Sequence, residues 1–350
     1  MPGALEGVTI IEFAGIGPGP FTAMMLADHG ARVIRIDRPG TGESGRLKFD
    51  ATLRNREHVE FDLKSDEGRA RVLELAREAD GVIEGFRPGV LERLGLGPDV
   101  LLGVNPRIVI GRMTGWGQDG PLADAAGHDI NYISLSGSLH TFGREGEKPT
   151  PPVNAVGDFG GGGMMLAFGM LAGILSAKST GKGQVVDCAM VDGSALLATM
   201  IHSLHSLGRW VDERGKNMLD TGAPFYEVYE TSDGRFISVG PIEAQFYAEM
   251  LERLGIADDA LFAGQNERDN WPAMKERLTQ IFLTRSRDEW CELLEGTDVC
   301  FAPVLSLAEA PKHPHNVARG TFVEAAGITQ PAPAPRFSGT PAPKVRPPWG

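Results

Sequence analysis

The sequence is poor in cysteine: three in 350 residues, Cys188, Cys291 and Cys300. They are far apart, odd in number and form no C-x-x-C pair, which excludes a disulfide framework and a cysteine-built zinc site and points to a reducing compartment. Positive charge is also short, with 34 Lys and Arg against 46 Asp and Glu, a net of −12. A nucleic acid or an anionic membrane would meet repulsion, so any anionic ligand must find a local cluster of cations. No apolar run approaches the about 20 residues needed to cross a bilayer, and MPGALEGVTIIEF has neither a charged leader nor a cleavage site. The expectation is a cytoplasmic protein with no membrane and no nucleic-acid partner. HExxH and GxSxG are both missing, so zinc-peptidase and serine-hydrolase chemistry lose their usual support. His202, His205, His313 and His315 lack companion carboxylates at useful spacing, and no metal site is expected.

What is present reads as an ordinary globular chain, 42% hydrophobic and 23% charged, long enough for two domains. Short β-branched runs alternate with helical patterns over the first hundred residues. VTIIEFA (8–14), ARVIRID (31–37), HVEFDLK, DGVIEGF and RIVIGRMTGW are strand-like, and FTAMMLADHG (21–30) and the segment from Ser65 are helical, with Pro20 at a plausible first helical position. This alternation predicts a Rossmann-like α/β fold with a parallel sheet. The stretch from Arg38 to Arg56 reads as a mobile loop, 159–183 as a buried helix, QVVDCAMV as a further strand, and 190–224 as helical pieces with a polar link. FYEVYETSDGRFISVG predicts a hairpin turning at Ser232-Asp233-Gly234, followed by helices from Glu243, Trp271 and Arg287, then an extended FAPVLSL. The proline-rich tail from Gln330 is expected to lie extended on the surface.

GIGPGP (15–20) between strand and helix invites a dinucleotide site, with Asp37 where a ribose-binding acid would stand. Pro18 and Pro20, however, remove two N–H donors from the turn that would cradle a pyrophosphate, so the fold is retained and the nicotinamide or flavin is not. Arg38, Arg54, Arg56, Lys64, Arg87 and Arg93 fall in or beside loops after successive strands. In a parallel sheet those loops share the edge where ligands bind, so the cations suit a phosphate-rich small ligand, the alternative being scattered solvated charges. Three acid–base candidates remain: His128 in AGHDINY, Asp158 in AVGDFGGGG and Glu243 in GPIEAQFY. Each follows a Gly or Pro turn at the head of a helical pattern, so helix capping competes with catalysis for each.

Long segments, among them EFAGIGPGPFTAMMLADHGARVIRIDRPG, AGHDINYISLSG, DFGGGGMMLAFGML and NMLDTGAPFYEVYETSDGRFISVGPIEAQFY, identify a resemblance. From about residue 5 to about residue 320 the chain resembles the α-methylacyl-CoA racemase branch of the family III CoA-transferase superfamily. The resemblance implies a racemase that interconverts R and S 2-methylacyl-CoA thioesters by moving the α-proton between two bases through an enolate, with coenzyme A as part of the substrate and no other cofactor. His128 and Asp158 match the family's two bases, and Glu243 matches the glutamate that pairs with the histidine. The backbone N–H of Asp129 would face the thioester oxygen. Arg38, Phe61, Lys64, Glu84, Arg87 and Arg93 match positions at the nucleotide end of the coenzyme, and Ile16 is a further expected coenzyme A or substrate contact. Gly127, Ile130, Asn131 and Tyr132 match positions at its pantetheine-thioester end.

The same resemblance implies an interlocked homodimer in which Glu243 comes from the partner subunit. The expected division is a large α/β domain from 1–185 with 325–350, a linker 186–224, a small α+β domain 225–310 and a return linker 311–324. Two rivals stand beside the racemase. A transferase of the superfamily would use Asp158 as a nucleophile, and a non-catalytic acyl-CoA binder would need the cations without the three ionisable groups. Met164, Met165, Met170, Met190 and Met218 suit an adaptable surface for the acyl chain, with plain core positions as the alternative.

Overall fold

A computed structural model describes residues 3–41 and 50–348. The first strands are β1 (Thr9–Phe13), β2 (Arg32–Asp37), β3 (Glu57–Glu60), β4 (Gly81–Glu84), β5 (Val109–Thr114) and β6 (Gln184–Ala189). All pair in parallel in the order β3-β2-β1-β4-β5-β6. β1, β4 and β5 are buried along nearly their whole length, as strands covered on both faces are, whereas β3 is a polar edge strand. Ile10 packs with Val33, Ile83 and Met170 on one side, whereas its neighbour Ile11 packs with Val82, Leu91 and Ile110 on the other. That is the period of two expected along a strand. The predicted Rossmann-like α/β layer is therefore present.

The crossovers are α1 (Pro18–Asp28), α2 (Asp66–Ala76), α3 (Val90–Arg93), α4 (Pro98–Val104), α5 (Asp129–Leu135), a π-helix (Ala155–Met164) and α6 (Met165–Thr180). Helix α1 begins at Pro18, two residues before Pro20, the first helical position that the sequence pattern suggested. The fixed φ of Pro18 suits the first turn, where its missing N–H costs nothing. Ser65 caps α2 by accepting the Gly68 N–H at 3.0 Å, and Gly181 in the left-handed region (φ 75°) ends α6. The predicted helix 159–183 starts earlier than expected and opens in π geometry. With it, the expectation that no apolar run could cross a bilayer is corrected: Ala155–Thr180 is a 26-residue helical stretch long and apolar enough by length and composition. In this fold it packs against β5, β6 and α1. The loop expected from Arg38 to Arg56 falls in part on residues 42–49, outside the described residues. Beyond it Ala51–Leu53 forms a 3-10 turn, with Asp50 accepting the Thr52 N–H at 2.9 Å.

The chain divides into two units, 1–138 with 151–199 and 317–350, and 139–150 with 200–316. The boundary differs from a linker starting at 186, because β6 runs on to Ala189 in the sheet and α7 (Met190–Leu197) packs on the π-helix. Helix α8 (Thr199–Ser206) follows. The second unit holds an antiparallel sheet of β7 (Glu227–Glu230), β8 (Phe236–Val239) and β9 (Phe301–Pro303). Over it lie α9 (Ala244–Leu254), α10 (Trp271–Phe282) and α11 (Arg287–Leu294), around a core that includes Phe225, Tyr229, Met250, Trp271 and Phe282. The predicted hairpin and all three helices are found. After α12 (Pro314–Arg319) comes an antiparallel hairpin, β10 (Phe322–Ala325) and β11 (Ile328–Pro331), which the sequence had not suggested. The described residues beyond it, 332–348, form no helix or strand and belong to the first unit, where the Arg346 N–H donates to Asn55 Oδ1 at 2.6 Å.

Candidate active site

The strand order reverses between β1 and β4, and in open α/β sheets ligands bind outside the carboxyl ends of the strands at such a point. The β1–α1 turn lies at that point, with Ile16 85% exposed. Gly17 follows it in the left-handed region at φ 68°. Arg87, in the loop after β4, is exposed at the same edge.

Asp158 reaches this edge from the π-helix. The sequence GGGG that follows it is explained by backbone approach. A Cβ on Gly161 would lie 2.6 Å from Ser194 N, and one on Gly163 would lie 3.1 Å from Pro18 O. Asp158 is the fourth residue of the π-helix, whose N-cap is Asn154, so it is not the capping residue, although it stands in the first turn where a carboxylate also meets the helix dipole. Its carboxylate is half-buried, and burial pushes it above the usual aspartate range. Asn154 Nδ2 opposes this by donating to Oδ2 at 3.0 Å, the Asp129 charge adds to the rise, and His128 draws it down, with a net upward shift. A partly desolvated carboxylate with a raised pKa is a better proton acceptor than an ordinary one.

His128 stands in extended backbone just before α5, with its N–H donating to Asn131 Oδ1 at 3.0 Å and its side chain exposed. Asp129 is the first residue of α5, so its N–H has no carbonyl within the helix to bond. Its side chain does something the sequence did not suggest: the buried carboxylate accepts the Asp158 N–H at 2.7 Å through Oδ2. Oδ1 is buried with no hydrogen-bond partner among the described residues. A carboxylate opening a helix looks like a dipole partner, and no local signal marks this contact.

Tyr132 lies beneath, buried, with Trp116 edge-on to it at 4.8 Å. Gly115 and Gly127 are glycines because a Cβ would meet the tyrosine ring at 2.1 and 2.7 Å. Burial raises the Tyr132 hydroxyl, Asp158 adds to that, and Arg87 opposes it. Ile130 and Asn131 are exposed. Thus His128, Asp129, Tyr132, Asp158 and Arg87 share one neighbourhood in the first unit.

The cationic edge is narrower than the sequence suggested. Arg38, Lys64, Arg87 and Arg93 are exposed, but Arg54 and Arg56 are buried. Arg54 forms a two-bond pair with Asp28 (2.9 and 2.5 Å), and Arg56 pairs with Glu12 at 2.6 Å and donates to the Thr52 and Pro20 carbonyls. They hold β1, α1 and the start of β3 together and are not free for a ligand. Glu84 is likewise fully buried, with Arg112 Nε at 2.7 Å on Oε1 and the Phe86 N–H at 2.7 Å on Oε2. It supports the β4 loop instead of lining the surface. Phe61 is half-buried against the core behind β3. Asp37, the would-be ribose acid, is buried between His58 and Arg35, both at 3.1 Å. Burial raises its carboxyl, but those two partners hold it below the usual range.

Glu243 lies on the second unit, exposed at the N-terminus of α9, and its side chain makes no capping bond. Met170 and Met190 are core residues, so the expected methionine surface loses two of its members. No group of three or more metal-binding side chains occurs among the described residues.

The model of CoA-transferase family III matches residues 5–349. The chain belongs to CoA-transferase family III. Among its relatives, α-methylacyl-CoA racemase of Homo sapiens is 44% identical over 97% of this chain and 88% of its own length. Acetyl-CoA:oxalate CoA-transferase of Acetobacter aceti is 30% identical over 99% of this chain and 92% of its own. A crystal structure of a CaiB/BaiF family protein from Brucella suis superposes with a TM-score of 0.82 at 24% identity, covering 98% and 97% of the two chains, which speaks for the shared fold.

Proposed function

We propose that this family III protein is an α-methylacyl-CoA racemase, interconverting R and S 2-methylacyl-CoA thioesters by 1,1-proton transfer. The observation that carries it is Asp158, a half-buried carboxylate with a raised pKa that feels the charge of a second ionisable group, His128, held on a different element. One base takes the α-proton as the electron pair moves onto the thioester oxygen. The other returns a proton to the opposite face, and no bond to sulfur breaks. The Asp129 N–H stands ready to receive the enolate oxygen, a contribution worth about 3 kcal/mol for one well-placed donor. Glu243 is assigned to hold the imidazole in its working tautomer. Arg38, Lys64, Arg87 and Arg93 are assigned to the phosphates of coenzyme A, which enters only as part of the substrate. A homodimer is part of the proposal. The apolar stripe Met164, Phe168, Leu171 and Leu175 on one face of the long helix, 39–72% exposed, is the kind of surface a second copy covers.

The test follows α-deuteration of each pure enantiomer in deuterated water by NMR. His128→Ala should lose racemisation yet exchange the proton of the R form, and Asp158→Ala should show the mirror pattern with the S form. Near-normal racemisation by either variant would refute the two-base assignment. Added free carboxylic acids should yield no new thioesters, and dialysis against a strong chelator should leave the rate unchanged.

A further inference from the structure

Gly17 carries an observation that the assignment above does not use. A Cβ built on it would lie 3.3 Å from Asp158 Oδ2 and 3.7 Å from the carboxyl carbon. Proton abstraction needs the reacting carbon within about 3–3.5 Å of the accepting oxygen. A side chain at position 17 would therefore occupy the contact shell that the substrate must enter. Asn154 already takes one approach to Oδ2. The turn cannot yield easily, because Pro18 and Pro20 are buried on one side of Gly17 and Pro18 Cβ lies 3.1 Å from where a Gly162 Cβ would stand.

We propose that Gly17 is the specificity-determining residue for branching at the reacting carbon: its missing side chain leaves, beside the Asp158 carboxylate, the space taken by the α-substituent of a 2-branched acyl thioester. This rests on Asp158 acting as a proton acceptor. In the step concerned the Cα–H bond breaks, an O–H bond forms on Asp158, and the electron pair moves onto the thioester oxygen. The return of a proton to carbon reverses these changes without any co-reactant. A straight-chain thioester carries hydrogen where the branched one carries methyl, and a Cβ at position 17 penalises it less.

The φ of 68° would by itself favour glycine, so the test must separate backbone strain from lost space. Gly7 provides the control, with φ 82° and nothing within 4 Å of its would-be Cβ. Wild type, Gly17→Ala and Gly7→Ala are compared for α-deuteration of 2-methylbutanoyl-CoA and butanoyl-CoA. Gly17→Ala should slow exchange of the branched thioester at least about tenfold more than that of the straight one, and Gly7→Ala should leave the ratio as in wild type. Equal loss with both thioesters, or no loss, would overturn the proposal. Gly17, at φ 68° and ψ −119°, lies outside the left-handed well that Asn tolerates, so should the alanine variant not fold, the wild-type ratio is the readout: 2-methylbutanoyl-CoA should be deuterated within about tenfold of butanoyl-CoA, and a larger preference for the straight chain would overturn the proposal. Wild-type protein that deuterates neither thioester would instead overturn the racemase assignment itself.

Discussion

Asp129 offers a perturbation that separates side chain from backbone. Its carboxylate accepts the Asp158 N–H at 2.7 Å, while its own N–H, assigned to the enolate oxygen, survives any substitution except proline. Removing the acceptor in Asp129→Ala strips Asp158 of a hydrogen bond to a charged group, worth about 1.5–3 kcal/mol. If that bond positions the base, kcat/KM falls about 10- to 100-fold at 1.4 kcal/mol per decade. Binding of free coenzyme A should change little. Asp129→Asn keeps an acceptor oxygen and removes the charge. That charge pushes Asp158 upward, so its loss lowers the Asp158 pKa. The base form of Asp158 is lost as pH falls through its raised pKa, and lowering that pKa extends activity toward acid. The acid limb of the kcat/KM profile, followed by α-deuteration of the single enantiomer that uses Asp158 as base, should therefore move to lower pH in Asp129→Asn. Wild-type kcat/KM in Asp129→Ala together with an unmoved acid limb in Asp129→Asn would show that the contact positions nothing.

Arg56→Met leaves Glu12 buried with only Arg35 against it, and breaking a buried pair costs about 3–5 kcal/mol, so the urea midpoint should drop clearly; an unchanged midpoint would deny the pair its structural role. Arg93→Ala should raise KM about tenfold, for a charged hydrogen bond of about 1.5–3 kcal/mol partly screened at an exposed site, and leave kcat alone; a wild-type KM at low salt would make Arg93 a solvated charge. Arg287 and Ser306 hold the Glu309 carboxyl down to about 2. A depressed folded pKa stabilises above the unfolded value of about 4.3 and is lost as pH falls toward 2, so the thermal midpoint of Glu309→Gln should depend less on pH in that window than that of wild type.

The parallel sheet was legible because most of its strands, such as β1 and β4, are short runs rich in β-branched residues bounded by turn residues, and α2 announces itself by the Ser65 cap. The β10–β11 hairpin was not. Its two-residue turn places Ala326 (φ 55°) and Gly327 (φ 74°) both in the left-handed region. Such turns are usually announced by Asn-Gly or Asp-Gly, and an alanine there gives no signal. The cations failed for a different reason. Arg54 and Arg56 have the same local company as Arg38, and only the tertiary partners Asp28 and Glu12, brought in from α1 and β1, withdraw them from the edge.

At the site the same limit has a structural cause. The groups around Asp158 come from separate elements: Gly17 from the β1–α1 turn, Asp129 from α5, and Asn154 from just before the π-helix. The contact between Asp129 and Asp158 spans 29 positions of sequence, beyond any helical or strand period. Each residue alone has an ordinary explanation, as a turn glycine, a helix-opening acid or a loop amide. The glycine run Gly160–Gly163 likewise reads as flexibility, yet Gly193 on α7 is so near that a Cβ on it would lie 1.8 Å from Gly161 O. That backbone-to-backbone packing clamps the helix directly after Asp158. The resemblance could name His128 and Asp158 because it compares whole segments. Why the Asp158 carboxylate is raised in pKa and open toward Gly17 follows only from where the fold places those neighbours.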